Sequence, residues 1–409
     1  QNNDVYMPIR NKRMACAISW RTEGSIVVAG PMSYQEESAI RTPTADFNRI
    51  YFGGRATNDH LGGWIKTVKF YDHYKDHDTL AADMLPSSRY GVVSIGQSNA
   101  HGRFRATDGK QNGGEVAGVA EMDRYQTTSG ENWYLDCATD GSALIGSTPG
   151  GNWWINPATG ELGKCFEKFK KTCEAFGIAN IHALHWDQGA SDINSTPAEY
   201  KAALIMLVAA MRSFLGQPNI PFFISPIARR GDITSNNYNN IKQAQREFCA
   251  EQPNAYLLPP QDNVTFGSDN THLSNTSYGE MTRNAMRKIM KVLGYTVTGA
   301  VDAPTFTSGS RSGAVITIPI TFPTGITAIT PTSAISGFRV FQGASEKTIS
   351  ACTYASGNIT ITLSTDPGGA VQVWFGYGSM YAELATAANL ARGNGTNALG
   401  LQHNVITVA

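Results

Sequence analysis

The sequence predicts an α/β domain of three layers, α/β/α, built on a parallel sheet and flanked on both sides by β-rich modules. Three observations predict it. Between Arg89 and Gly294, apolar runs of strand length alternate with amphipathic helical stretches, the order of a parallel sheet wrapped by helices. On either side of that region short strand-like runs take over. A small-residue turn, Gly96-Gln97-Ser98-Asn99-Ala100-His101-Gly102, closes the first apolar strand, Tyr90-Gly91-Val92-Val93-Ser94-Ile95. The expected organisation is residues 1–86, 87–297 and 298–409.

Residues 1–86 begin with the strand-like runs Met14 to Trp20 and Ser25 to Ala29. Arg49 to Gly54 follows, and then Gly63 to Tyr71, which alternates between two faces. The glycine pair, the Gly63-Trp64-Ile65 run, Phe70-Tyr71 and a short helix at Asp78 to Met84 resemble the end of a laminin-G or concanavalin-like sandwich, of which only part is present. Carbohydrate contact and a plain structural spacer are both open for this fragment.

In the middle region, Leu162, Cys165, Phe166, Phe169, Cys173 and Phe176 fall on one face of a helix. Ile178 to Trp186 reads as a strand, Ala198 to Leu215 as a buried helix with Pro197 near its start, and Ile220 to Ile227 as a strand bracketed by prolines. Ile241, Ala244 and Phe248 mark another helix, Tyr256 to Leu258 a short strand, and Ser274 to about Gly294 a last helix. Roughly Arg103 to Pro157 reads as a long insertion, rich in glycine and aromatics. Its Trp133, Tyr134, Trp153 and Trp154 either stack on sugar rings along a groove or pack the insertion's own core. After Thr298, alternation at Ile316, Ile318, Ile320 and Phe322, at Ile359, Ile361 and Leu363, and at Val371, Val373, Phe375 and Tyr377 predicts a C-terminal antiparallel β-domain.

Composition excludes several function classes. Lys+Arg and Asp+Glu balance at 33 each, so no net field draws nucleic acid or an anionic membrane. Only 16% of residues are charged while 41 are glycine, a mix suited to loop-rich extracellular or virion proteins. The six cysteines (Cys16, Cys137, Cys165, Cys173, Cys249, Cys352) form no CxxC pair, so neither a zinc site nor a dense disulfide framework is expected. They read as buried thiols of a protein folded in a reducing cytoplasm. The most apolar stretch, Ala202 to Met211, is about half a bilayer span. No signal peptide is visible, and Gln1 reads as the middle of a domain, which implies a missing N-terminal part.

The chemistry lies in three segments. A serine exposed where a strand ends and a helix begins suits acyl transfer, with helix-start N–H groups aimed at the reacting oxygen. Ser98 holds that place. His185-Trp186-Asp187-Gln188-Gly189-Ala190-Ser191-Asp192 is the second segment. In the third, Asp269-Asn270-Thr271-His272, an acid precedes a histidine by one helical turn. Serine, histidine and carboxylate are the parts of a serine esterase. Asp269/His272 has a plainer reading as a helix-capping pair, and His101 and His185 are rival bases. An Asp-x-x-His pair also fits a metal, but no HxH, HExxH or cysteine cluster supplies further ligands, and no P-loop or GxGxxG implies a phosphate cofactor.

Together the three segments resemble the SGNH-hydrolase superfamily, in its sialate-O-acetylesterase-like branch whose first block reads Gly-Gln-Ser-Asn. The resemblance spans about half the chain. It implies a catalytic set of Ser98, Asp269 and His272, with no cofactor and no metal. It further implies oxyanion donors at the Ser98 N–H, at Gly160 (in Gly160-Glu161-Leu162-Gly163) and at Gln188. Gly160 is otherwise a plain turn glycine. Relatives usually read Gln-Gly-Glu-x-Asp in the second segment, whereas this chain has Ala190 at the glutamate position. Asn99, Asp192, Trp133, Trp153 and Trp154 are the expected substrate contacts, with Asp192 organising its loop as the alternative role.

The expected activity is removal of O-acetyl groups from a bacterial surface polysaccharide, O-antigen or capsule. The arrangement of modules resembles bacteriophage tail spikes or fibres. That implies a homotrimeric virion protein, attached to other virion proteins through the missing N-terminal part and acting outside the cell, with no nucleic acid partner and no membrane insertion. A secreted bacterial protein is the alternative source. The rival readings of function are a receptor-binding adhesin on a decayed esterase scaffold and a lipase-like hydrolase.

Overall fold

In a computed structural model the described residues run from Arg89 to Ala409, apart from 105–112, 127–130, 149–150, 228, 233, 261, 263, 381–382, 384–385 and 396–398. Of the first 88 residues it describes three strands, β1 (Ala17–Trp20), β2 (Ile26–Gly30) and β3 (Ser33–Glu37). They form an antiparallel sheet in the order β1-β2-β3. The expected strands at Arg49 to Gly54 and Gly63 to Tyr71, and the helix at Asp78 to Met84, lie outside the described residues.

The strand β4 (Arg89–Gly96) starts the α/β region. Val92, Val93, Ser94 and Ile95 are all buried, the unbroken run of a strand covered on both faces. After it come α1 (Ser98–Gly102), α2 (Gly113–Tyr125) and β5 (Glu131–Asp136). The short parallel pair β6 (Ala143–Ile145) and β7 (Trp153–Ile155) precedes α3 (Lys164–Phe176). Then follow β8 (Ile181–Asp187), α4 (Pro197–Leu215), β9 (Phe222–Ile224), α5 (Tyr238–Glu251), β10 (Ala255–Leu257) and α6 (Asn275–Val292). The sheet runs β10-β9-β8-β4-β5 with every pair parallel.

Local chemistry sets the helix ends. Thr196 and Glu199 form a capping box at the start of α4, Pro197 takes its first turn, and Gly216 ends it in the left-handed region at φ 62°. Ser274 caps α6 by accepting the Ser277 N–H.

The expected insertion at Arg103 to Pro157 is instead part of the sheet framework. It supplies β5, the edge strand beside β4, and α2, which packs on α6. The helical period of α2 is weakened because its buried residues include Gly114, Gly118, Glu115 and Glu121 beside the apolar Ala117, Val119 and Met122. Small residues bring the two helices close: a Cβ at Gly113 would stand 2.4 Å from the Asn275 carbonyl oxygen. Glu121 is made tolerable in the interior by Arg287 at 3.2 Å.

The C-terminal region is antiparallel. One sheet pairs β11 (Ser310–Ser312), β12 (Val315–Pro319), β17 (Asn358–Leu363) and β16 (Ile349–Ala355) in that order. The other pairs β15 (Ser345–Lys347), β14 (Phe338–Gln342), β18 (Val371–Phe375) and β20 (Asn404–Val408). A small ladder joins β13 (Ile329–Thr330) to β19 (Arg392–Gly393). Ile316, Ile318, Val340, Ile359, Ile361 and Val373 fill one shared core, as the alternation predicts. This region meets the α/β region through buried polar contacts. Lys242 Nζ donates to the Gly376 and Gly378 carbonyls at 2.7 and 2.9 Å, and His403 Nε2 pairs with Asp262. Among the described residues no helix is long and apolar enough to cross a membrane.

Candidate active site

The site gathers at the carboxyl ends of β4 and β8, where parallel sheets place their ligands. Gly96 ends β4 at φ +136°, and a Cβ there would lie 2.1 Å from the Asp187 carbonyl oxygen. Only glycine lets the chain turn this close to β8. The Gln97 N–H donates to that same oxygen at 3.0 Å. Gln97 Oε1 accepts the N–H groups of Gly189 (3.1 Å) and Ser191 (3.4 Å), which fastens the loop after β8 to the serine turn. Ser98 is then the first residue of α1 and is half-buried. The first-turn N–H groups of a helix have no acceptor within it, so Ser98 presents a hydroxyl and an N–H together.

The acid and the histidine lie in a closed turn after β10. The Gly267 N–H donates to His272 O (2.7 Å), and Ser274 N–H to Thr265 O (3.0 Å). Asn270 takes the left-handed region at φ 53° at the tip. Asp269 Oδ1 accepts the Thr271 and His272 N–H groups, each at 2.9 Å, while Oδ2 pairs with His272 Nδ1 at 2.6 Å. Desolvation is the largest single influence and raises the Asp269 carboxyl, but the hydrogen bonds from the His272 ring and from the two backbone amides together outweigh it and hold it at about 2. With Nδ1 occupied, His272 keeps Nε2 for proton transfer.

A cleft runs between the two halves, lined by Gln97, Asn99, Asp187, Ala190, Arg230 and Leu273 among others. Asp187 is paired at 2.6 Å with Arg103, which is fully buried. Burial pushes the Asp187 carboxyl up, and Arg103 opposes that shift. Ala190 places a methyl group on the cleft wall where relatives are expected to carry a carboxylate.

Several expected residues stand elsewhere. The Gly160 N–H is given to the Asn156 carbonyl at 2.8 Å within the turn between β7 and α3, so it is not free to stabilise an oxyanion. Gln188 is buried; its Nε2 donates to Ser142 O and to Asp192, and its Oε1 accepts from Tyr200. Its amide is consumed in holding the loop. Asp192 is buried and accepts the Leu144 and Ile145 N–H groups at 2.8 and 3.1 Å, so it organises the loop and does not face substrate. Trp133, Trp153 and Trp154 are 6%, 6% and 0% exposed and belong to the core, with no face offered to a sugar. Asn99 lines the cleft, with its Oδ1 taken by the Tyr278 hydroxyl. His185 is buried between Tyr134 and Ser225.

The structure adds three partners that no sequence spacing signals: Arg103 for Asp187, Tyr278 for Asn99, and Asp136 for His101. His101 Nδ1 lies 2.7 Å from Asp136 Oδ2 at the end of β5, but without the alignment of a hydrogen bond. Among the described residues no cluster of metal-ligating side chains occurs.

Residues 135–291 match the family model described as carbohydrate esterase, sialic acid-specific acetylesterase. The chain contains a carbohydrate esterase. The matched segment of the esterase includes β8, the Gln188 loop and the Asp269–His272 turn, and begins after Ser98. No curated protein matches the chain. Among solved structures, a carbohydrate acetylesterase from Xanthomonas citri superposes with a TM-score of 0.56 at 13% identity, covering 78% of this chain and 80% of that one. This is a likeness of fold. A protein from Arabidopsis thaliana (16% identity, TM-score 0.39, 50% of this chain and 99% of that one) is also similar. So is a family two carbohydrate esterase from Clostridium thermocellum (13%, 0.35, 52% and 66%).

Proposed function

We propose that the esterase removes O-acetyl groups from an acetylated bacterial surface polysaccharide, with Ser98 as nucleophile, His272 as base and Asp269 as the group that orients it. The observation that carries this reading is the Asp269 Oδ2–His272 Nδ1 contact of 2.6 Å, on a turn whose next residue, Leu273, lines the same cleft as Gln97 and Asn99, the two neighbours of Ser98. Asp269 fixes the tautomer and stabilises the imidazolium, which leaves Nε2 to accept the serine proton. Ser98 Oγ adds to the acetyl carbonyl carbon. The imidazolium then protonates the departing sugar oxygen, and a water activated by His272 releases acetate and restores the serine.

The oxyanion is assigned to the Ser98 N–H together with the loop between β5 and β6. That loop is fastened to the serine turn: Thr139 N–H and Ser142 Oγ both donate to Gly96 O, at 3.0 and 2.9 Å. Within it Gly141 sits at φ 63° and is exposed, and among the described residues its N–H meets no backbone acceptor. It replaces Gly160 as the second donor in this reading. The chemistry needs no cofactor.

The β-rich modules on both sides support a role on a polymer outside the cell, and we read the whole as a phage tail-spike or fibre component that works as a homotrimer. The deciding experiment incubates acetylated O-antigen or capsule with wild type and with Ser98→Ala and measures released acetate. Loss by a factor on the order of 10³ or more, with polysaccharide binding retained, is expected. Equal release by both proteins overturns the mechanism, and binding without release by wild type turns the reading to a receptor-binding protein.

A further inference from the structure

Tyr278 lies in the first turns of α6, 3% exposed, and its hydroxyl stands between the two halves of the site. It donates to Asn99 Oδ1 at 2.8 Å and accepts the Leu273 N–H at 3.3 Å. Asn99 follows Ser98, and Leu273 follows His272. One oxygen therefore ties the residue after the serine to the residue after the histidine. Among the described residues no hydrogen bond joins 97–102 directly to 267–274, so the tie between them runs through this hydroxyl.

Two further features suit the hydroxyl to that place. The ring is held by Val264, Leu273 and Met281, which fix the direction in which the oxygen points. Gly102, at the end of α1, leaves room for it: a Cβ there would come within 2.3 Å of the Tyr278 oxygen. Burial also drives the phenol up to about 12, so it keeps the proton it gives to Asn99 wherever an ester hydrolase works.

We propose that the Tyr278 hydroxyl is a positioning group that sets the distance and angle between Ser98 and His272 through Asn99 and Leu273. This rests on the catalytic assignment above. Productive attack tolerates little misplacement, since about 1 Å of error can cost on the order of 10²-fold in rate. Tyr278→Phe keeps the ring and removes the bridge.

The test measures acetate release and the rate at which a fluorophosphonate probe labels Ser98, in Tyr278→Phe, Asn99→Ala and the double variant. For Tyr278→Phe, kcat and the labelling rate are expected to fall together by roughly 10- to 100-fold, with KM within about twofold. The double variant should be no slower than the slower single one, because both substitutions break one link. Gly102→Ala, which crowds the oxygen and leaves the tyrosine intact, should give the same split between kcat and KM. Wild-type kcat and labelling in Tyr278→Phe, or losses that multiply in the double variant, overturn the proposal. Should Tyr278→Phe fail to fold, Gly102→Ala decides, and unchanged kcat and labelling there overturn it. Ser98→Ala separates the two levels: acetate release that survives it removes the catalytic assignment, whereas an inactive Ser98→Ala beside a fully active Tyr278→Phe removes only the positioning role.

Discussion

Arg103 Nη2 and Asp187 Oδ2 meet at 2.6 Å, joining the residue just past α1 to the last residue of β8. The backbone repeats the connection, since the Asp187 carbonyl accepts the Gln97 N–H. The serine turn is thus held to the central strand by a charge pair on one side and a backbone bond on the other. The guanidinium is wholly buried, so its partner cannot be removed cheaply. Asp187→Ala should lower the free energy of unfolding by about 3–5 kcal/mol, the usual result of stranding one member of a buried pair. Urea unfolding of the two proteins measures it; a change below about 1 kcal/mol would show that water replaces the carboxylate.

Two histidines near the site each have an aspartate within 2.7 Å, and they should not be equivalent. His272 has an aligned hydrogen bond to Asp269, whereas His101 and Asp136 are close but misaligned. His272→Ala is expected to lose a factor on the order of 10³ or more in kcat, and His101→Ala less than about tenfold. Steady-state kinetics on an acetylated sugar reads both; the reverse order would move the base to His101.

The Asp269 carboxyl sits at about 2 in the folded protein, below its unfolded value of 3.8. A depressed carboxylate adds stability that is fully present above the unfolded value and is lost as pH falls through the folded one, here between about 4 and 2. Through the working range it therefore stays ionised. The acid limb of kcat/KM should show unit slope from a single ionisation down to about pH 3, and Asp269→Asn should cut kcat by roughly 10²–10⁴. A limb that steepens to a slope of two below about pH 5 would place a second titrating group in the mechanism.

The tryptophans make a prediction about stability in place of recognition. Trp154 is 0% exposed, and its Nε1 donates to Ser142 Oγ at 3.2 Å. Trp154→Ala should cost about 3–5 kcal/mol of stability, while KM of the folded fraction stays within about twofold. A large rise in KM at unchanged stability would return this residue to the substrate groove.

The esterase half was readable because its signals are local. Pro197 and the Thr196/Glu199 pair announce α4, the six-residue apolar run announces β4, and Asp269 and His272 lie one turn apart in the chain. The stretch from Arg103 to Pro157 was not readable, because α2 builds its helix contact from glycines and paired charges. Gly113 against Asn275, and Glu121 against Arg287, leave only Ala117, Val119 and Met122 to carry the apolar period. The buried tryptophans were ambiguous for a related reason: an aromatic side chain suits a sugar or a core equally well, and only the neighbours decide.

By itself the sequence determined the α/β alternation, the β-rich C-terminal region, the serine at a strand end and the Asp-x-x-His turn. These depend on periodicities and spacings of a few residues. Tertiary structure alone decided which polar groups are already spent. Gly160 and Gln188 give their N–H groups to carbonyls and carboxylates nearby, Asp192 faces a loop, and Tyr278 bridges Asn99 and Leu273. The reason is physical: a donor or acceptor is available to a substrate only if no protein partner has claimed it. Those partners, at distances of 46 to 179 positions along the chain for Gln188 with Ser142 and Tyr278 with Asn99, leave no trace in local pattern.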